Sequence, residues 1–375
     1  MRRLRFPQPI SVQLMIRFLL KVRFRTRCLI ISESINSILT GKIVMKRTDF
    51  LKSLGGITVA PWAVGSKLTG TGVLRKPKRL QPGDLIGLTA PAGIVFNDDD
   101  YTRMVQVLTD FGFRTKFGSN VRNRHGYLAG TDRERAENLN QMFVDPEIDG
   151  IMAVRGGWGC SRILPYLDFK AIARNPKVYC GFSDNTTLHH AFMSYCGFTT
   201  FHGPNGNSDW TDLTKESFES VIMKGEESRY QSKSDVRTLQ AGSAQGRLIG
   251  GNLTILTTTL GTSYQPDFRD AILFVEDIGE RTYKIDRMLA HLKQAGALNK
   301  ISGFIFGKCT DCSAGPNPTF SLAEVIEKYI KPLNIPAMMN ADIGHEEDNF
   351  TIPAGGIAEL DAGSGEFWLK ESSVI

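Results

Sequence analysis

A serine, a glutamate and a histidine, each placed after an apolar run, are the residues of this chain that could share a path for one proton. The run Val178-Tyr179-Cys180-Gly181-Phe182 delivers Ser183 to Asp184-Asn185-Thr186-Thr187, where helix-forming text begins. A strand that ends in a tight turn before a helix presents a hydroxyl, and the first N–H groups of the helix point at whatever sits over it. Ser183 is therefore the candidate nucleophile, although Ser and Asp at such a place also read as an ordinary helix N-cap. The apolar run 271–275 ends in Glu276 and Asp277, and the polar loop 340–348 carries His345 after a second apolar stretch. A serine hydroxyl attacks a carbonyl at neutral pH when an imidazole takes its proton and a carboxylate fixes the tautomer of the imidazole. Ser183, His345 and Glu276 supply those parts. Each also has a plainer reading: strand-end carboxylates cap loops, loop histidines are solvated, and His345-Glu346-Glu347-Asp348 could hold an adventitious metal.

The elements that would position these residues follow from periodicity. A strand at 85–89 leads to a helix at 99–111, whose Met104, Val107, Leu108 and Phe111 fall on one face. Thr131 with Glu134 three residues on reads as a capping box, and the helix it opens buries Ala136, Leu139 and Phe143 before a strand at 150–154. Alternation of this kind builds a parallel sheet whose strand ends carry Arg155-Gly156-Gly157 and Ser183. Strands at 271–275, 303–306, 357–360 and 366–369 mix with helices at 283–294 and 322–329 in the second half. The expected fold is α/β: a doubly wound, flavodoxin- or Rossmann-like parallel-sheet domain at 75–205, a polar linker at 206–245, and a mixed α/β domain with a strand-rich, barrel-like core at 246–375. The triad would then form between domains, where a hinge could open it. Asn185 stands where Gly-x-Ser-x-Gly has its second glycine, so the turn does not specify an α/β-hydrolase.

Longer motifs add a resemblance. They are Asp84-Leu85-Ile86-Gly87-Leu88-Thr89-Ala90-Pro91-Ala92-Gly93, Tyr127-Leu128-Ala129-Gly130-Thr131-Asp132, Arg155-Gly156-Gly157-Trp158-Gly159, Gly246-Arg247-Leu248-Ile249-Gly250-Gly251-Asn252, Glu276-Asp277-Ile278-Gly279-Glu280 and Gly344-His345. In this order, over roughly the last three hundred residues, the chain resembles the murein LD-carboxypeptidase family, serine peptidases that include the microcin-C immunity peptidases. The resemblance implies Ser183 as nucleophile, His345 as base, Glu276 as its orienting acid, and an oxyanion hole from the N–H groups of Asp184 and Gly157. It implies a metal-independent, cofactor-free carboxypeptidase that cleaves the L,D bond before the terminal D-alanine of muropeptide tetrapeptides through an acyl-enzyme. Arg155 is a candidate clamp for the terminal carboxylate and equally a salt-bridge partner. Trp158 is a second candidate binding residue. Two alternatives stay open: hydrolysis of peptidyl or aminoacyl nucleotides, with Trp158 or Trp210 as a platform for the base, and muropeptide binding without catalysis. The glycines of 155–159 lack the spacing of a dinucleotide loop.

The net charge of +6 belongs to the beginning of the chain. Residues 1–47 carry eleven Lys or Arg and one acid, Glu33, whereas the remainder has 34 bases against 38 acids. That balance argues against a nucleic-acid surface on the body. Residues 1–74 read as a leader, or as text upstream of the true start, outside the fold. The stretch from Met45-Lys46-Arg47 has the form of a signal peptide and would make the protein exported; without it the protein would be cytoplasmic. No apolar stretch reaches the ~18 residues of a bilayer span. The expected partner is a muropeptide, with a second copy of the chain as an option. Six scattered cysteines imply no disulfide framework, and Cys309-Thr310-Asp311-Cys312 is assigned no function. Of His189 and His190, one should be packed and one exposed. His202 reads as a strand-end turn.

Overall fold

Five consecutive buried residues make β1 (Leu85–Thr89), the pattern of a strand covered on both faces. The computed structural model describes residues 73–232, 235–315 and 319–375. The readings placed on residues 1–72, Cys28 among them, lie outside the described residues. After β1 come α1 (Asp98–Asp110), β2 (Arg114–Phe117), α2 (Asp132–Val144), β3 (Gly150–Ala153), α3 (Cys160–Ile163), α4 (Phe169–Arg174), β4 (Val178–Gly181), α5 (Thr186–Ala191) and β5 (Thr200–His202). The capping box at α2 is present, with the Thr131 N–H donating to Glu134 at 2.7 Å and the Glu134 N–H to Thr131 Oγ1 at 3.3 Å. These strands form a sheet in the order β2-β1-β3-β4-β5, all parallel, which is the flavodoxin-like order with its reversal between β1 and β3.

The rest of the chain supplies α6 (Asp212–Phe218), β6 (Arg229–Gln231), β7 (Arg237–Gln240), β8 (Ser243–Asn252), α7 (Leu253–Thr259), β9 (Ala271–Ile278), α8 (Thr282–Gln294), β10 (Gly303–Thr310), α9 (Leu322–Ile330), β11 (Ala337–Met339), β12 (Ile352–Ala354), β13 (Ile357–Asp361) and β14 (Glu366–Leu369). A second sheet runs β6-β14-β13-β8-β9-β10-β11-β7, with β8 to β11 mutually parallel and the flanks antiparallel. β12 leaves this sheet and pairs antiparallel with β5 of the first, and only Gly355 and Gly356 separate it from β13.

The barrel-like core expected here is an open sheet. β6 pairs with β14 and β7 with β11, so the two edges do not pair with each other among the described residues. Gln231 and Arg237, on opposite edges, are nevertheless joined by five residues. Six extended steps reach at most roughly 22 Å, whereas eight flat strands would set the edges roughly 34 Å apart. The sheet therefore curls without closing.

One apolar cluster takes buried side chains from both sheets, including Leu88 and Met152 of the first and Leu248, Phe274, Ile305 and Leu360 of the second. Residues 206–245, expected as a linker, carry α6, β6, β7 and the start of β8, and Leu213, Phe218 and Tyr230 join that cluster. Cys309 and Cys312 are joined in a disulfide at the end of β10, while Cys160, Cys180 and Cys196 are buried thiols. Among the described residues no helix is long and apolar enough to cross a membrane.

Candidate active site

β4 ends at Gly181, Phe182 stays extended, and Ser183 turns into the left-handed region at φ 65°. A side chain there costs energy that the surroundings must supply. They do so through two amides. Asn185 accepts from the Tyr179 hydroxyl at 2.6 Å and donates to the Phe182 carbonyl at 3.0 Å, while Asn205 Oδ1 accepts from the Phe182 N–H at 3.2 Å. Asn185, at the place of the hydrolase glycine, is thus the residue that ties the turn. The Gly156-Gly157 turn after β3 lies against Ser183. A Cβ on Gly156 would sit 2.7 Å from Ser183 Cβ and 3.0 Å from its Oγ, and Gly157 has φ 109°.

Glu276 lies near the end of β9, followed by the equally enclosed Asp277, and is itself fully buried. His345 reaches both residues: its Nε2 is 3.0 Å from Ser183 Oγ and its Nδ1 2.7 Å from Glu276 Oε2. Glu276 is an acceptor, so Nδ1–H donates to it and Nε2 is left to accept from the serine hydroxyl. Gly344 has φ 130°, and a Cβ there would meet Glu276 Oε2 at 2.9 Å, which explains a glycine before the histidine. Burial opposes a charged His345 ring, but the charge and hydrogen bond of Glu276, with Asp277 beyond, hold it above its usual range. Burial, reinforced by Glu276, pushes Asp277 up to about 6. Its carboxyl group accepts from Asn252 Nδ2 at 3.1 Å and from Thr254 Oγ1 at 2.8 Å, tying the start of α7 to the end of β9.

Beneath the serine lie three buried histidines. His189 and His190 are both enclosed, in place of the expected one packed and one exposed, because α5 is covered on two sides. His189 meets β4 and β5 through the Gly181 carbonyl at 2.8 Å and Thr200 Oγ1 at 2.9 Å, and His190 meets β8 through the Gly250 carbonyl at 2.9 Å. Burial lowers His189 to about 4 and His190 to about 3, and it depresses His202 as well. His202 lies between the rings of Phe182 and Phe274, and its ring nitrogens have no hydrogen-bond partner among the described residues.

The remaining candidates fall as follows. The Asp184 side chain is fully buried and accepts from the Cys160 N–H at 2.7 Å. Arg155 donates to the Ile94 carbonyl at 2.6 Å, and its guanidinium lies 4.8 Å from the centre of the Phe96 ring. Trp158 is partly exposed, whereas Trp210 packs edge-on to Phe218 and beside Phe111. Asp348, in the suspected metal patch, accepts from the Thr211 hydroxyl. Sequence reasoning named Gly156 and Asn252 only as members of longer motifs, and it did not reach Asn205 or Thr254. The adjacent glycines of Arg155-Gly156-Gly157 and Gly250-Gly251-Asn252 were the signals, since paired glycines mark close backbone approach. The arrangement can move a proton from a strained hydroxyl to an imidazole whose other nitrogen is held by a buried carboxylate.

Comparison with known proteins agrees in extent and in order. The LD-carboxypeptidase N-terminal domain matches residues 86–203 and the LD-carboxypeptidase C-terminal domain residues 245–360. A protein of Bacillus subtilis (strain 168) named as a probable murein peptide carboxypeptidase is 38% identical over 292 residues, covering 76% of this chain and 91% of that protein. The microcin C7 self-immunity protein MccF of Escherichia coli is 29% identical over 74% of this chain and 90% of its own length. A solved structure of MccF with glutamyl sulfamoyl guanosine superposes with a TM-score of 0.74 at 26% identity, over 81% of this chain and all of that one. The muramoyltetrapeptide carboxypeptidase of Oxalobacter formigenes superposes with a TM-score of 0.66 at 29% identity, over 76% of this chain and 97% of that one. With both domains matched and a relative this similar over most of its length, the chain belongs to the LD-carboxypeptidase family and is a serine-type carboxypeptidase.

Proposed function

We propose that the protein hydrolyses the L,D peptide bond before the terminal D-alanine of muropeptide tetrapeptides, through an acyl-enzyme on Ser183. The observation that carries this reading is the series of hydrogen bonds from Ser183 Oγ to His345 at 3.0 Å and from His345 to Glu276 at 2.7 Å. His345 takes the hydroxyl proton as Ser183 attacks the scissile carbonyl. The tetrahedral oxyanion is met by the N–H groups of Asp184 and Gly157. His345 then returns the proton to the leaving amine of D-alanine, and water repeats the sequence to free the acyl group. Glu276 accepts from Nδ1–H and steadies the imidazolium. Every step uses a side chain or backbone group of this chain, and the proposal assigns no cofactor. Arg155, next to Gly156, is the proposed partner for the terminal carboxylate of the substrate, and Trp158 for its apolar surface.

A second reading, hydrolysis of an aminoacyl or peptidyl nucleotide, draws on the likeness to MccF and on the partly exposed Trp158 as a stacking platform. Trp210, the other candidate platform, is partly buried and packs against the core through Phe111 and Phe218. Mass spectrometry of the purified protein with a murein tetrapeptide, and separately with an aminoacyl sulfamoyl nucleoside, decides between them. Free D-alanine from the first, with the second left intact, is the expected result; cleavage of the nucleoside alone would reverse the choice.

A further inference from the structure

The loop that would carry an oxyanion donor is held by two opposite charges that the catalytic scheme above does not use. Asp184 and Arg135 are both fully buried, with Asp184 Oδ1 and Arg135 Nε lacking a hydrogen-bond partner among the described residues, and burial raises the Asp184 carboxyl while its bonds at Cys160 and the charge of Arg135 oppose that shift. Arg135, on α2, donates from Nη1 to the Gly159 carbonyl at 2.8 Å and to the Pro91 carbonyl at 2.5 Å, and from Nη2 to Asp132 at 2.5 Å. Asp184 Oδ2 accepts from the Cys160 N–H at 2.7 Å. The Gly159 carbonyl and the Cys160 N–H are the two ends of one peptide unit. A cation thus grips its oxygen and an anion grips its N–H, along the direction of the peptide dipole.

The hold extends to the preceding glycines. The Gly93 N–H donates to the Gly156 carbonyl at 3.1 Å, and Gly93 follows by two residues the Pro91 carbonyl that Arg135 also holds. In a trans peptide the carbonyl and the N–H point in opposite directions, so fixing Gly156 O fixes where the Gly157 N–H points. Glycine occupies 156, 157 and 159, two of them at positive φ, and these three residues have no side chains with which to set their own conformation. Their geometry has to be imposed from outside. The groups that impose it come from α2, from the segment after β1, and from the residue that follows the nucleophile.

We propose that the Asp184 carboxylate and the Arg135 guanidinium are positioning residues that set the Gly156–Cys160 loop, and with it the Gly157 N–H, in register with Ser183. Asp184 then serves twice, its N–H facing the oxyanion and its carboxylate bracing the loop that supplies the other donor. Arg135 also offsets the negative charge that this brace places close to a developing oxyanion. Misalignment of a donor acts on the transition state and spares substrate binding, so the signature is a loss in kcat with KM little changed.

This inference rests on the Ser183 reading above, and the test separates the two. Asp184→Asn keeps an oxygen for the Cys160 N–H, and Asp184→Ala leaves that N–H bare. Turnover of a murein tetrapeptide should fall about 100-fold in Asp184→Ala, as for loss of one oxyanion donor, and no more than about tenfold in Asp184→Asn. KM should stay within about threefold of wild type in both, and Ser183→Ala should be inactive. Wild-type kcat in Asp184→Ala would overturn the proposal, and so would equal losses in the two Asp184 variants. Should Asp184→Ala not fold, Arg135→Lys takes its place: a lysine keeps the charge and loses the fork that reaches Gly159, Pro91 and Asp132 together. Wild-type kcat there would overturn it equally. Turnover surviving in Ser183→Ala would instead remove the reading on which the inference rests.

Discussion

The φ of 65° at Ser183 and the absent side chain at Gly156 are two halves of one arrangement, since the strained turn pushes the serine into space that only a glycine leaves open. Gly156→Ala would place a methyl group 2.7 Å from Ser183 Cβ. The serine or the loop must then shift, and kcat in tetrapeptide hydrolysis should fall at least about 100-fold, in line with the sensitivity of such sites to displacements near 1 Å. Unchanged kcat would mean that the turn does not abut the nucleophile. The pH profile is a second check. His345 must be neutral to accept a proton and its ring is held above its usual range, so kcat/KM should rise with pH through an apparent pKa above that of a free histidine. Glu276→Gln removes the negative charge, so the acid limb should move to lower pH while kcat drops by up to about 10⁴-fold as the tautomer is lost. An acid limb that stays in place would dissociate Glu276 from the imidazole. At this scale the apolar runs before Ser183, Glu276 and His345 marked them as candidates, but each kept a plainer reading and their roles came from the family resemblance. The tie between Asp184 and the peptide after Gly159 was not legible, because it joins side chain to backbone across 24 residues with no local pattern.

Among the elements, α5 shows where legibility ends. Its start after Ser183 followed from the text, yet the burial of His190 depends on a strand formed 60 residues later, through the Gly250 carbonyl, while His189 is enclosed against β4 and β5. The short strands β6 and β7 were missed because three or four residues with exposed neighbours give no alternation to read. The parallel sheet of the first half, by contrast, followed from its regular strand–helix alternation, although its strand order did not. Burial of the histidines has a thermodynamic consequence. With His189 lowered to about 4 and His190 to about 3, the unfolded chain binds protons before the folded one does. Their contribution is complete above about pH 6.5, the free histidine value, and is lost as pH falls toward those lowered values. Urea midpoints should therefore decline between pH 6.5 and 4. A His190→Gln variant that folds should decline less steeply, and identical slopes for the two proteins would refute the assignment.

At the scale of the molecule, Ser183 follows β4 of the first sheet, Glu276 lies on β9 of the second, and His345 sits in the loop that runs from β11 of the second to β12 of the first. The apolar cluster that both sheets share holds the three in contact. A core of that continuity should unfold in one step, so far-UV circular dichroism and tryptophan fluorescence should give coincident urea transitions for the folded body. Two separated transitions would mean that the sheets are independent units. Convergence from both sheets is also the claim on which the proposed chemistry depends. The most direct measurement is release of free D-alanine from a murein tetrapeptide by Ser183→Ala, by His345→Ala and by the double variant. The account predicts that each single change costs at least about 10³-fold in kcat and that combining them costs little more, as for residues acting as one unit. Turnover within about tenfold of wild type in Ser183→Ala, or losses that multiply in the double variant, would contradict it.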